Sequence, residues 1–304
     1  MKILLVSLLA ACTVLGACKK KESTSGNALG SAGAAGSAEM GSATAGSATG
    51  SAMGSAVATG SGAGSAIVVP PYTPAADVPE PIKAAIAAPD RTDADRALDA
   101  GRKPGEVLAF FKIAPKQKIG ELFAGGGYTT ELMARTVGEG GTIWAQNTKE
   151  IMDKFARKPW SERAAKEVMK HVVGVERPTD DPFPADAKNL DAVITILNYH
   201  DFVNMKVDRA KMNKAVFKAL KRGGIYGIVD SSAADKSGTR DTDTLHRIDE
   251  AVVKQEVLAA GFKLDGESDV LRNKDDKRDW NSSPRAAGER RGTSDRFVLR
   301  FKKP

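Results

Sequence analysis

Beyond about residue 90, short apolar runs alternate with longer stretches in which apolar residues recur every three or four positions, the pattern of strands interleaved with amphipathic helices. The segment Pro89 to Phe111, with ADRALDAGRKPGEVLAFF, predicts two short helical pieces broken near Gly101 and Pro104. Ile119 to Phe123 predicts a first strand, followed by three glycines and a helix in YTTELMARTVG, whose Leu132, Met133 and Val137 give it an apolar side. GTIWAQ, residues 141–146, predicts a second strand, and Lys149 to His171 reads as helical with a break at Pro159. VVGVE at 172–176 and LDAVITILNY at 190–199 predict the third and fourth strands. The fourth is almost continuously apolar, which suits a strand covered on both faces. Asn204 to Leu220 predicts a helix, KRGG a turn that ends it, and Gly224 to Val229 a fifth strand. A helix over Ile248 to Ala260, a sixth strand near Phe262 to Leu264, a charged excursion and a seventh strand over Arg296 to Phe301 complete the series.

Repeated strand-to-helix crossovers imply an α/β fold, a mostly parallel sheet with helices on its faces. Sheets of this kind bind ligands outside the carboxyl ends of their strands, near the point where strand order reverses. Gly125 to Gly127, Asn147, the segment after Val175, Asn198 to Asp201, and Asp230 to Ala234 are thereby expected around one rim.

The N-terminal part of the chain has a different composition. Residues 1–18 join a cation at Lys2 to an apolar run from Ile3 to Ala17 and a cysteine, a pattern of export signals rather than of a lasting membrane span. Leu15-Gly16-Ala17-Cys18 resembles the bacterial lipobox, and Leu9-Ala10-Ala11-Cys12 fits the same pattern. Cys18 is preferred, because cleavage there leaves the full apolar run before it and polar sequence after it. The expectation is a lipid anchor through Cys18 and a membrane-anchored lipoprotein in the cell envelope, with its domain in the periplasm. Residues 19–80, with GSA recurring at 30, 36, 41, 46, 50, 54 and 64, read as a disordered Gly/Ser/Ala-rich tether, leaving 81–304 as the folded domain.

Charge changes the picture little. The formal net charge is +7, but cations and acids are interspersed and aromatics are few among them, so no nucleic-acid partner is expected. Only two cysteines are present, both at or before position 18, so the domain has neither a disulfide nor a cysteine nucleophile. Three histidines without local ligand spacing give no metal motif, so no metal ligands are assigned. No GxSxG nucleophile elbow is present. The glycine turn is neither GxGxxG nor a Walker loop, which weighs against a nucleotide-dependent oxidoreductase.

GELFAGGGYTTEL is the stretch with the clearest chemistry. Consecutive glycines between strand and helix let a ligand approach the backbone closely, and the helix start offers free N–H groups. ELFAGGGYTTELMA, AQN after the second strand, LNYHD after the fourth and LKRGGIYGIVDSSA in the fifth together resemble the class I S-adenosylmethionine-dependent methyltransferases. The similarity is to a bacterial group of that family and continues through DTLHRIDEAVVKQEVLAAGFKLDGESDVLRN and DRFVLRF, covering about Arg91 to Pro304.

The resemblance implies a Rossmann-like methyltransferase fold with a seven-stranded sheet, helices on both faces and an antiparallel last strand. It also implies S-adenosyl-L-methionine as cofactor and a small-molecule acceptor. Ala124, Gly125, Gly126 and Gly127 take the loop role, with Phe123 standing where the family usually has its first loop glycine. Asn147 stands where an acid usually pairs with the ribose hydroxyls. Glu121 is expected to orient backbone donors or meet the donor's amino group. Asp180 is expected at the adenine edge or in a plain turn, and Phe183 over the adenine ring or in ordinary packing. Asn198 ends the fourth strand on the cofactor side. His200 is the expected proton acceptor, with Tyr199 positioning the acceptor and Asp201 orienting the imidazole; a helix cap is the other reading of this stretch. His246 and Arg247 are expected either at the acceptor pocket or in a cap and a surface ion pair. A non-catalytic envelope-anchored binding module of the same fold is the alternative function.

Overall fold

The computed structural model describes residues 72–304. The expected signal segment, Cys18 and most of the expected tether lie outside the described residues. The packed chain already includes Tyr72 to Pro79, ahead of the expected start at 81: the Tyr72 hydroxyl bonds Glu106 and accepts from Gly105 N–H at 2.9 Å, and Val78 is buried.

Three short helices open the domain: α1 (Glu80–Ala87), α2 (Asp93–Arg102) and α3 (Pro104–Phe110). The first was not expected, because prolines 79 and 81 read as linker. Proline is, however, well tolerated in the first turn of a helix, where its missing N–H has no intrahelical partner anyway. Thr92 caps α2 by accepting from Asp95 N–H, and Lys103 ends it in the left-handed region, after which Pro104 starts α3.

The alternating part follows as β1 (Lys118–Leu122), α4 (Tyr128–Val137), β2 (Thr142–Asn147), α5 (Lys149–Ile151), a π-type turn at Met152–Ala156, α6 (Arg157–Ala164) and β3 (Val172–Glu176). Then come β4 (Leu190–Ile196), α7 (Tyr199–Asn204), α8 (Arg209–Ala219), β5 (Leu220–Ser231), α9 (Thr242–Leu245), α10 (Glu250–Ala259), β6 (Lys263–Ser268) and β7 (Arg296–Lys302). Strand order is β3-β2-β1-β4-β5-β7-β6, and β7 alone runs antiparallel to its two neighbours. This is the expected seven-stranded, Rossmann-like methyltransferase fold. Order reverses between β1 and β4, which pair in parallel with Glu121 opposite Ile194, so the crevice at the switch point opens beyond these two strands.

Two cores flank the sheet. On one face Ile119, Ala192, Ile194 and Val229 pack with Ile82, Leu108, Leu132 and Met133 from α1, α3 and α4. On the other, Leu122, Val193, Tyr226 and Ile228 pack with Phe202, Met212, Val216 and Val257 from α7, α8 and α10. Alternate residues of β4 thus serve opposite cores, which is why its sequence is apolar throughout; each such side chain contributes about 1.5–3 kcal/mol on burial. Several boundaries differ from expectation: the break expected at Pro159 falls inside α6, and β5 begins at Leu220 and takes in the KRGG expected as a turn. β4 stops at Ile196 because Leu197 turns the chain with φ of +62°, and the helix expected over 204–220 is two helices parted at Met205–Asp208. Among the described residues no helix is long and apolar enough to cross a membrane.

Candidate functional site at the carboxyl rim

The turn after β1 carries Phe123, Gly125 and Gly127 at φ of +59°, +57° and +83°. Left-handed backbone suits the two glycines at no steric cost but is strained at Phe123. Phe123 is held by its ring, which meets Phe202 edge-on at 5.7 Å. β2 supplies the loop's partners: Phe123 N–H donates to Gln146 Oε1 at 3.1 Å, and Ala124 N–H donates to the Gln146 carbonyl at 2.9 Å.

Asn147, only 2% exposed, accepts from Gly125 N–H at 2.8 Å and donates to the Gly125 carbonyl at 3.2 Å. From outside, Arg163 of α6 donates to the Gly126 carbonyl at 2.7 Å while Pro159 and Trp160 rest on Gly126 and Gly127. Arg163 also pairs with Asp95 and Glu131, tying the loop to α2 and α4. The exception is Gly125: a Cβ built there meets nothing within 4 Å, so its Cα side faces open space although its N–H and carbonyl are both taken by Asn147.

Glu121 is buried just before the loop and accepts from the Thr130 hydroxyl at 2.5 Å. Burial disfavours its charged form more than the Thr130 bond, Arg163 and Arg102 favour it, and its carboxyl is pushed up to about 8. The end of α2, α3, the start of α4 and the ends of β4 and β5 enclose a mainly apolar hollow of about 20 Å³, with Arg102, Tyr128, Leu197, Leu271 and Arg296 in its wall. That is room for about one water. Arg102 lies over the Tyr128 ring at 4.4 Å.

Asn198 caps the gap between β4 and α7, its Nδ2 donating to the Phe123 carbonyl at 3.1 Å and the Ile196 carbonyl at 2.9 Å. Glycine loop and β4 end are therefore directly bonded. His200, in the first turn of α7, donates its backbone N–H to Asp230 Oδ2 and places Nδ1 against Asp230 Oδ1, both at 2.8 Å. Asp230, at the end of β5, is fully buried; it was expected at the rim but given no role there. Burial opposes the charged ring, but the Asp230 carboxylate outweighs it, with help from Asp201, and His200 is pushed up to about 9. A proton-accepting imidazole oriented by Asp201 was expected. In this setting the ring instead keeps its proton at neutral pH. Asp201 lies 3.4 Å from the outer nitrogen, Nε2, so the carboxylate that orients His200 through Nδ1 is Asp230, not its neighbour in sequence. His246 meets the same outer nitrogen, with Nδ1 at 3.3 Å.

Other expected residues fall elsewhere. Tyr199 does not face an acceptor: its ring is fully buried, and its hydroxyl donates to Glu256 at 2.9 Å and accepts from Asn213 at 2.8 Å. Helix α7 begins at Tyr199 and turns that side chain inward, whereas an extended strand end would have alternated it outward. Arg247 is fully buried and pairs with Asp276 at 2.8 Å, beneath Trp280, rather than lining a pocket. Asp180 sits in the loop after β3 and pairs with Lys211 of α8 at 3.0 Å. Phe183 lies against Gly120, where an added Cβ would come within 2.5 Å of its ring, so it packs on the middle of β1.

No protein-family profile and no curated protein matches the sequence. Solved structures do share its shape. A SAM-dependent methyltransferase from Aquifex aeolicus is similar with a TM-score of 0.51 at 15% identity, covering 68% of this chain and 94% of that one. A chain of the complex between the Haloferax volcanii Trm112 methyltransferase activator and a methyltransferase has a TM-score of 0.49 at 15% identity, covering 74% and 98%. A SAM-dependent O-methyltransferase from Thermotoga maritima has 0.44 at 17% identity, covering 74% and 71%. The first of these likenesses shows a common fold.

Proposed function

We propose that the chain is an S-adenosylmethionine-dependent methyltransferase acting on a small-molecule acceptor. The observation that carries this reading is the open space beside the Gly125 Cα, at the switch point of a sheet with the methyltransferase strand order. Bound there, the cofactor would supply an electrophilic methyl group on a sulfonium, whose thioether leaves without protonation. The chain's part is alignment and exclusion of water. Ala124 to Gly127 would hold the donor against the backbone, Glu121 and Thr130 would brace the loop from beneath, and Arg102 would face a carboxylate in the hollow. His200 and Asp201, in the first turn of α7, would meet the acceptor. The hollow is too small for a nucleoside as it stands, so Arg102 and Leu271 in its wall must swing aside on binding.

One observation favours a second reading. Asn147 spends its amide on Gly125, so the usual ribose-pairing position is occupied with holding the loop, as in a binding module that has kept the fold without the reaction. Calorimetric titration of the full-length chain with S-adenosylmethionine and with NAD tests both. Micromolar binding of the first alone supports a methyl-donor site, and transfer to an acceptor then supports the enzyme. No heat with either supports the module. In Gly125→Val no neighbour obstructs the side chain, but a β-branched residue at φ of +57° is strained; a variant that circular dichroism shows to be folded should have lost donor binding. Attachment through Cys18 in the envelope belongs to the same proposal. Radiolabelled palmitate incorporated by the wild type but not by Cys18→Ser would support it.

A further inference from the structure

His200, Asp201 and His246 come together although Asp201 and His246 stand 45 positions apart in the chain. His200 Nε2 lies 3.3 Å from His246 Nδ1 and 3.4 Å from Asp201 Oδ1, and the last two atoms are 3.7 Å apart. All three separations exceed those of a good hydrogen bond to nitrogen or oxygen, about 2.7–3.2 Å. They match a different object. A tetrahedral ion with bonds of about 2.0–2.2 Å has ligand-to-ligand edges of about 3.3–3.6 Å. We infer that His200 Nε2, His246 Nδ1 and one Asp201 oxygen form the three-ligand face of a divalent-metal site, zinc by preference, with the fourth position open.

The surroundings fit this assignment. Nδ1 of His200 is bonded to buried Asp230, which is itself fixed by the N–H groups of His200 and Ser231, each at 2.8 Å. A carboxylate on the far nitrogen of a ligating histidine holds the proton at Nδ1 and aims the ring, so an ion bound at Nε2 takes the place of the proton carried there. His246 ends α9 in the left-handed region at φ of +50°, with its carbonyl accepting from Ser282 Oγ at 2.7 Å, so its ring is presented by a fixed turn. The two imidazoles stand nearly perpendicular, at 81°, with their near nitrogens converging. Two nitrogens and one carboxylate suit zinc and its transition-metal neighbours rather than calcium or magnesium, which take oxygen. His246 and Asp201 side chains are 31% and 29% exposed, so the fourth position opens to solvent, as in sites that bind water or a reactant oxygen.

This inference needs only the rim geometry and does not rest on the methyl-donor reading. Full-length protein stripped with a chelator would be titrated with zinc chloride, and separately with cobalt chloride while the visible spectrum is followed. We expect one zinc per chain, a tetrahedral cobalt spectrum, and a rise in melting temperature with zinc. His246→Gln and Asp201→Asn change partly exposed side chains, so both should fold. Each should weaken zinc binding at least tenfold, and Asp230→Asn by about 10- to 100-fold as an outer partner. No zinc uptake by the wild type, or equal uptake by wild type, His246→Gln and Asp201→Asn, overturns the site. Because S-adenosylmethionine binding can be measured in chelator, failure of either proposal is seen without the other.

Discussion

The carboxamide of Asn147 grips the backbone of Gly125 on both sides, accepting from its N–H at 2.8 Å and donating to its carbonyl at 3.2 Å. Only an amide can do both. In Asn147→Asp the donor becomes a second acceptor, buried and facing a carbonyl oxygen, which costs about 1–3 kcal/mol. Urea unfolding should show that loss at neutral pH. If Asn147→Asp is instead as stable as wild type and binds S-adenosylmethionine more tightly, the side chain serves the ribose and not the loop.

Glu121 should make stability fall as pH rises. Its folded carboxyl is pushed up to about 8, against an ordinary value of 4.5, chiefly by burial. Below the unfolded value both states are protonated and the group contributes nothing to the slope. Between about 4.5 and 8 the unfolded chain ionises while the folded one keeps its proton, so folding loses up to about 1.4 kcal/mol per pH unit. Above 8 the contribution levels off. Glu121→Gln keeps an acceptor for Thr130 and cannot ionise. Melting temperatures of wild type and variant measured from pH 5 to pH 8 should therefore diverge, with the wild type falling more steeply; parallel curves would show that Glu121 is ionised in the fold.

Phe123 sets backbone strain against ring packing. At φ of +59° a Cβ costs about 1–2 kcal/mol, while glycine in the unfolded chain costs about 0.5–1 kcal/mol. Phe123→Ala loses the ring contact and keeps the strain; Phe123→Gly loses both. The glycine variant should be the more stable of the two by about 1 kcal/mol, the reverse of the usual order, as read by denaturant midpoints. Alanine equal to or above glycine would show that the loop relaxes out of the left-handed region.

Where local pattern and tertiary demand agree, the elements could be read from sequence. Val172 to Glu176 forms β3 over the expected residues, and the glycine loop, Asn147, Asn198 and Asp230 do share one rim. The misreadings have physical causes. LDAVITILNY stays apolar past Ile196, yet Leu197 leaves the strand through a left-handed turn that no composition signals, and Tyr199 thereby starts a helix. His200, Asp201 and His246 have no common spacing because the fold, not a helix or turn, gathers them. Asp230 read only as a strand end, since its partner is a histidine 30 residues earlier.

Tyr199 offers the sharpest contrast between pattern and packing. Its place in NYHD suggested a group for the acceptor, but its hydroxyl lies between α8 and α10, bridging Asn213 and Glu256. In Tyr199→Phe, Glu256 keeps Arg209 at 2.7 Å, whereas the buried Asn213 amide loses its partner. An unsatisfied buried donor costs about 1–3 kcal/mol, which for a domain of this size lowers the melting temperature by roughly 2–4 °C per kcal/mol. Donor affinity should be unchanged, because the loop is held by Asn147 and Asn198 and not by the phenol. A variant of wild-type stability with weakened S-adenosylmethionine binding would return Tyr199 to the site. A destabilised one with intact binding would fix it as the pin that joins α7 to the helices behind the sheet.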